Sequence, residues 1–477
     1  MLKGESPLSS KPKTNNLLVD HFRCPEGFVD LTVGPGLSGK SGYFRLGPEN
    51  ICFGQSSSVT PADNITDPLP DQLAKMSSTD ANVDLPFDPA QVLDNLRHER
   101  YPSQQGTAHS ANKSGSLVRS LYYRIRPILP VALRKHLQRI YLRNWEDIPF
   151  PHWPVDFSVE NLLERLIVIS MQSRSETRIP FIWFWPEGAP SCTVVTHDVE
   201  QTAGWEFCPQ LMDLDDSFGI KSSFQIVPEE RYTVTEERLA LIRERGFEIN
   251  VHDLNHDGNL FLDREEFLRR AAAINRYKDV FRAKGFRTAI LYRKIDWFDA
   301  LDFSYDLSVP NVAHLEPQRG GCCTVFPFFN GKMIELPVTM AQDYSLFNIL
   351  KDYSINLWKQ QMSLIRARNG LMQMIVHPDY IIDEKARRVY ADLLRYIAEL
   401  RDGGETWVAL PAEVAEWWRL RSKLALVKEA GGWQIKGEGR ERARIAYACI
   451  RDGKLTYEFE AKDTRTTAGA DSAYATM

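Results

Sequence analysis

Five of the ten histidines, His197, His252, His256, His314 and His377, fall within one stretch of the 477-residue chain. In EINVHDLNHDG, His252 and His256 are four apart. On one helical turn, or on a loop wrapped like one, both imidazoles reach a single cation. The alternative is two unrelated loop histidines. In CTVVTHDVE, a β-rich run ends on His197, Asp198 and Glu200. The two acids sit two apart, so a strand points them the same way; the alternative is an acidic pair capping the next helix. LMQMIVHPDY carries His377 to the end of an apolar run, where the alternative is a histidine bonded to a backbone carbonyl. GFRTAILYRKIDWF opens a run with Arg287 and closes it with Arg293. Arginine orients a carboxylate through paired hydrogen bonds; for Arg293 a surface salt bridge is the better reading.

One segment imitates a different chemistry. Asp253, Asn255, Asp257, Gly258 and Asn259 match the first, third, fifth, sixth and seventh positions of a calcium-binding EF-hand loop, and Leu260 suits the eighth. The twelfth position needs a bidentate glutamate. Arg264 stands there, with Glu265 one place late. A cation at that position repels calcium, and the β-branched residues before the loop do not suit an entering helix.

The elements that must position these residues alternate. Thr193–Thr196, Ser222–Val227, Glu248–His252, Arg287–Tyr292, Met372–Val376 and Trp407–Leu410 read as strands. Amphipathic stretches such as Thr235–Arg245 and Arg264–Lys284 lie between them. This alternation predicts parallel strands in an α/β barrel or a doubly wound sheet. Sites in such folds form at the C-terminal strand ends, where His197, His252 and His377 fall.

The order of these features resembles the polysaccharide deacetylase (NodB-homology) superfamily, in a divergent branch, over roughly residues 190–410. The resemblance implies a distorted (β/α) barrel holding one divalent metal, zinc first, with cobalt, nickel or manganese as alternatives. It implies His252 and His256 as metal ligands, Asp198 as the base, Arg287 as the residue that positions the base, and His377 as the acid. Val199 stands where the family has its metal-binding aspartate, and Ala289 where it has a proline. Some branches space the acids as acid-x-acid, which makes Glu200 the metal carboxylate, or exchanges the roles of Asp198 and Glu200. Asp306 and the Asp296–Trp297 pair are both candidates for the group that tunes His377, and His197 is a further supporting candidate. Two histidines and one carboxylate leave zinc with open positions, as a catalytic site requires. The implied activity is hydrolysis of a non-peptide C–N bond, N-deacetylation of an N-acetylated sugar or polysaccharide. The alternatives are a non-sugar amide or cyclic imide, or a non-catalytic glycan- or membrane-associated protein with a degenerate barrel.

The remaining chain divides by composition. Residues 1–60 read as a small β-rich region, 61–116 as a linker, 117–154 as a basic amphipathic helical segment, 155–420 as the barrel, 421–462 as a small β appendage and 463–477 as a tail. Residues 111–150 hold eight Lys/Arg against Glu146 and Asp147, while the whole chain carries a net charge of −5. The segment 117–143 is a helix packed on its neighbour with a solvated basic face, or a contact for an anionic glycan or membrane surface. In EPQRGGCCTVFPFF, the phenylalanines fit core packing better than a sugar-holding rim; Cys322 and Cys323 are assigned no role.

With 43% hydrophobic and 25% charged residues, the composition is that of a globular chain. No basic excess argues for nucleic acid. No apolar run reaches the ~18 residues of a membrane span. The polar N-terminus lacks a secretory h-region, so a cytoplasmic location, with peripheral membrane contact through 117–143 as a variant, is the expectation. Seven scattered cysteines with no CxxC pair exclude a cysteine zinc site.

Overall fold

A computed structural model describes residues 16–28, 31–48, 50–57, 62–65, 68–79, 82–102 and 140–460. The main sheet has nine strands. They are β1 (Cys192–Val199), β2 (Ser223–Ile226), β3 (Glu248–His252), β4 (Gly285–Arg287), β5 (Tyr305–Asp306), β6 (Phe328–Asn330), β7 (Met333–Glu335), β8 (Leu371–Val376) and β9 (Trp407–Val408). Across the sheet the order is β6-β7-β5-β4-β3-β2-β1-β8, with β9 also paired to β1. Every pair is parallel except β6–β7.

Parallel neighbours need crossovers, and helices supply most of them. α1 (Ser158–Ser173) precedes the sheet. α2 (Thr202–Ser217), α3 (Glu236–Glu244) and α4 (Arg264–Phe281) join β1 to β4. α5 (Asn356–Arg366) leads into β8, α6 (Glu384–Asp402) joins β8 to β9, and α7 (Pro411–Arg421) follows. Because both faces of the sheet are covered, all residues of β1 and β8 are buried. From β4 to β7 the crossovers are short 3₁₀ turns and a loop instead of α-helices. Beyond β7, Met340 N donates to the Gln373 carbonyl of β8 at 3.1 Å, and Gln373 N donates to Thr339 Oγ1 at 2.9 Å. The sheet thus curls into a distorted (β/α) barrel with an irregular seam.

Three expectations change. The strand expected over Arg287–Tyr292 ends at Arg287; Ala289–Leu291 is a 3₁₀ turn with Ile290 at φ 59°. Within the expected linker 61–116, Asn82–Leu85 is a strand between Leu31–Val33 and Ser77–Thr79, and Pro89–Arg97 is a helix. The physical reason is local: Asp88 caps that helix by accepting from Ala90 N and Gln91 N, and Pro89 suits the first turn. Arg293 is not at the surface. It is buried and bonded by its guanidinium to Glu99.

Residues Gly42–Arg45 and Ile51–Gly54 form a hairpin, as do Ala425–Glu429 and Gly432–Lys436. A third hairpin, Ile445–Arg451 with Lys454–Phe459, pairs with Arg178–Ile182 just before the barrel. The basic stretch as far as residue 139 and the tail 463–477 lie outside the described residues. Among the described residues no helix is long and apolar enough to cross a membrane.

Candidate metal centre and active site

Strand alternation sorts the end of β1. Asp198 turns into the barrel and His197 turns out to the helices. Glu200 follows as the chain leaves the strand. β3 ends on His252, and the chain then bends sharply, with Asp253 at φ 57° and His256 at φ 55°. Left-handed backbone at non-glycine residues is uncommon and costs free energy. Here Asp253 holds the bend: its N–H donates to the Arg287 carbonyl at 2.8 Å, and its carboxylate accepts from Leu254 N and Ala289 N.

The bend brings the ligand atoms of Glu200, His252 and His256 within 4.8 Å of one another. Glu200 Oε1 lies 2.8 Å from His256 Nε2 and 3.8 Å from His252 Nε2. His252 Nδ1 sits 3.2 Å from the Arg287 carbonyl. That bond requires the proton on Nδ1, which leaves Nε2 as a lone pair. Both His252 Nε2 and His256 Nε2 are buried and face Glu200 Oε1 without a well-aligned hydrogen bond. Two buried imidazole nitrogens converging on a carboxylate oxygen are a donor set that suits a divalent cation, so the residues fit a metal.

The base candidate stands next to this triad. Asp198 Oδ2 lies 3.8 Å from His252 Nε2, and Asp198 Oδ1 accepts from Arg287 Nη1 at 2.5 Å. Arg287 is fully buried and is fixed by the Leu307 carbonyl at 3.0 Å and Thr196 Oγ1 at 2.8 Å. Burial pushes the Asp198 carboxyl up, but Arg287, His252 and His377 outweigh it and hold it below the usual range. For Glu200, burial is likewise outweighed, first by His256, and the carboxyl is held well below its usual range.

His377 ends β8 on the same rim. Its Nε2 is 3.5 Å from Glu200 Oε1. Its Nδ1 is 2.7 Å from Asp343 Oδ1, and its backbone N–H donates to Asp343 Oδ2 at 2.7 Å. Burial disfavours the charged ring, yet Asp343 and Glu200 hold its pKa well above the ordinary imidazole range. These partners favour the protonated ring, which carries a proton at Nε2 toward the triad.

Asp343 is the residue that sequence reasoning missed. It stands in MAQDY, with nothing in its spacing to tie it to His377. The residues proposed for its place are elsewhere. Asp306 of β5 sits opposite Glu335 of β7 in register and accepts from Ser308; burial raises its pKa. Asp296 is at the surface, 2.6 Å from Arg100, and Trp297 packs against Phe267. His197 Nε2 lies 3.0 Å from Asp215 Oδ2 in the helix layer, where Tyr390 also donates to Asp215 at 2.6 Å.

The EF-hand imitation is resolved by Arg270. Its guanidinium binds both oxygens of Asp257, at 2.7 and 2.8 Å, and reaches Asn255 Oδ1 at 3.2 Å. A protein cation takes the donors that calcium would need. Phe326 is stacked on Trp185 in the core and Phe328 is buried, while Phe329 is 40% exposed. Cys322 and Cys323 are buried free thiols.

Fold and site together define a distorted (β/α) barrel with a candidate metal triad flanked by a carboxylate and a histidine. The solved structures it is similar to include polysaccharide deacetylases. A Mycobacterium smegmatis protein assigned to the polysaccharide deacetylases is 17% identical, with a TM-score of 0.41, over 50% of this chain and 93% of its own. A family 4 acetyl xylan esterase from Clostridium thermocellum, in complex with cobalt, is 13% identical at a TM-score of 0.30, over 48% of this chain and 91% of its own. A CE4-family pseudoenzyme from Bacillus anthracis is 13% identical at 0.29, over 47% and 65%. No family model and no curated protein matches the chain.

Proposed function

We propose that the protein is a metal-dependent hydrolase of non-peptide C–N bonds that removes the acetyl group from an N-acetylated sugar. The observation that supports this most is the convergence of the buried nitrogens His252 Nε2 and His256 Nε2 on Glu200 Oε1. Glu200, His252 and His256 would hold the metal, which when bound supplies Lewis acidity to the amide carbonyl and lowers the pKa of water.

The chain's own residues do the rest. Asp198 is ionised and takes the proton of the attacking water on Oδ2, the oxygen that Arg287 Nη1 leaves free. Arg287 keeps the carboxylate charged and aimed. On the other side, His377 gives its Nε2 proton to the departing nitrogen. An amine leaves poorly unless protonated, so a separate acid is required. Water and amide are consumed; a free amine and acetate result. Asp343 holds the His377 ring and keeps its proton in place.

The test is acetate release from N-acetylglucosamine oligomers by zinc- or cobalt-loaded protein. Equal amounts of acetate and new amine are expected, with loss in Asp198→Asn. Cleavage of a cyclic imide with no acetate from acetylated sugars would replace the sugar with another amide. Inertness of the metal-loaded protein toward both would sink the hydrolase reading.

A further inference from the structure

The loop between β2 and α3, residues 227–235, supplies none of the three triad ligands, yet it is bonded to both segments that carry them. On the Glu200 side, Tyr232 Oη donates to the Val199 carbonyl at 2.7 Å and accepts from Val227 N at 3.0 Å. Val199 directly precedes Glu200. The Tyr232 ring stacks on Trp205 of α2, with 5.0 Å between centroids, and Thr202 Oγ1 donates to the Arg231 carbonyl at 3.2 Å. On the histidine side, Glu229 N donates to the Leu254 carbonyl at 3.0 Å. Arg231 Nε donates to the Asn255 carbonyl at 3.1 Å, and its Nη2 donates to the His256 carbonyl. Nη2 also stands 3.5 Å from His256 Nδ1.

The two histidines need different support. His252 ends a strand, so the sheet fixes its backbone, and the Arg287 carbonyl fixes its ring through Nδ1. His256 lies beyond the strand with its backbone at φ 55°. A histidine in that conformation gains free energy by relaxing to the ordinary region. Rotation about the N–Cα bond swings its carbonyl and its ring together, so holding the carbonyl holds the direction of the ring. The Asn255 and His256 carbonyls meet on one planar guanidinium, whose N–H fork is rigid. A relaxed His256 could not keep both bonds. Arg231 thus does for His256 what the sheet does for His252. A positive charge beside a metal ligand opposes a bound cation, so charge gives no reason for an arginine here; the fork does.

We propose that Arg231 is a positioning residue of the metal centre: by holding the Asn255 and His256 carbonyls it presets His256 Nε2 against Glu200 Oε1, and it thereby sets the affinity and the geometry with which a divalent cation is held. This rests on the metal-dependent reading above and adds a residue outside the ligand set. Removing a partner that orients a metal ligand typically costs about 10–100-fold in affinity.

The experiment measures zinc affinity by competition with a chelator, and the visible absorption of the cobalt-loaded protein, for the wild type, Arg231→Ala, Arg231→Lys and Arg238→Ala. Arg238 is the control, since it bonds the Trp205 carbonyl and Glu206 on α2. Arg231→Ala should weaken zinc roughly tenfold or more and change the cobalt spectrum, which reports the ligand geometry. Arg231→Lys, which can still reach one carbonyl, should fall between, and Arg238→Ala should match the wild type. Loss of packing alone would lower stability and leave the cobalt spectrum as it is. Zinc affinity within about threefold of the wild type, an unchanged cobalt spectrum, or an equal loss in Arg238→Ala each overturns the proposal. If Arg231→Ala does not fold, Arg231→Lys is judged by the same limits. A wild type that binds neither zinc nor cobalt overturns this proposal and the metal-dependent reading together. Metal binding that depends on Arg231, with no acetate released, overturns the deacetylase reading and leaves this proposal standing.

Discussion

Replacing Asp343 with asparagine should disable the acid while leaving the metal triad in place. Asp343 is fully buried and accepts two bonds from His377, from the ring at Nδ1 and from the backbone N–H, each at 2.7 Å. Asparagine has one acceptor oxygen for two donors. The backbone N–H cannot turn away, so the amide oxygen stays with it and the amide NH₂ faces Nδ1. Nδ1 must then accept, and the ring becomes neutral with its hydrogen on Nε2. Neutral imidazole is a far weaker acid than imidazolium. General acid catalysis contributes roughly 10²–10⁴ in rate, so Asp343→Asn should lower kcat about 10³-fold, or ~4 kcal/mol at 1.36 kcal/mol per decade. KM and bound metal should stay near the wild-type values. The assay is steady-state acetate release, with the metal content of each preparation measured. An aryl amide, whose amine leaves more readily, should lose less than a sugar amide. A variant within about threefold of the wild-type kcat would refute the assignment of His377 as an acid held by Asp343.

Two further predictions concern the surroundings. Glu160 on α1 is 2% exposed, accepts from Thr324 Oγ1 and leaves Oε2 unpaired; burial pushes its carboxyl up to about 8. The folded state then keeps a proton that the unfolded chain loses above about pH 4.5, so this contribution is full below that pH and drains as pH rises toward 8, by up to ~1.4 kcal/mol per unit. Glu160→Gln should flatten the fall in melting temperature across that window; curves that run parallel for both proteins would exclude Glu160 as its source. The Asp257–Arg270 pair predicts that millimolar calcium leaves the melting temperature unchanged, and a clear calcium-dependent rise would show that the loop binds the ion after all.

The legible parts of this molecule are those that depend on neighbouring residues. Alternation along CTVVTHDVE separates Asp198 from His197, and the four-residue spacing of His252 and His256 survives as a shared site because one bend carries both rings. β8 announces itself as a largely apolar run, interrupted at Gln373, that stops at His377. What was hidden depends on contacts between distant segments. Asp343 is 34 residues from the histidine it holds, and Glu99 is 194 residues from Arg293, so neither pairing leaves a periodic trace. The turn after Arg287 was concealed for another reason. TAILY has the composition of a strand, but the chain must leave the sheet there so that the Arg287 carbonyl can accept from Asp253 N and His252 Nδ1. The helix Pro89–Arg97 was masked by turn-like composition, although Asp88–Pro89 is also a helix start.

The proposed chemistry depends on a cation at Glu200, His252 and His256. The most direct measurement is metal stoichiometry after equilibrium dialysis against zinc, for the wild type and for His256→Ala. One tightly held metal per chain in the wild type, and strongly weakened binding in the variant, is the predicted result. A wild type that binds no metal, or a variant that binds it as well, would contradict the central claim.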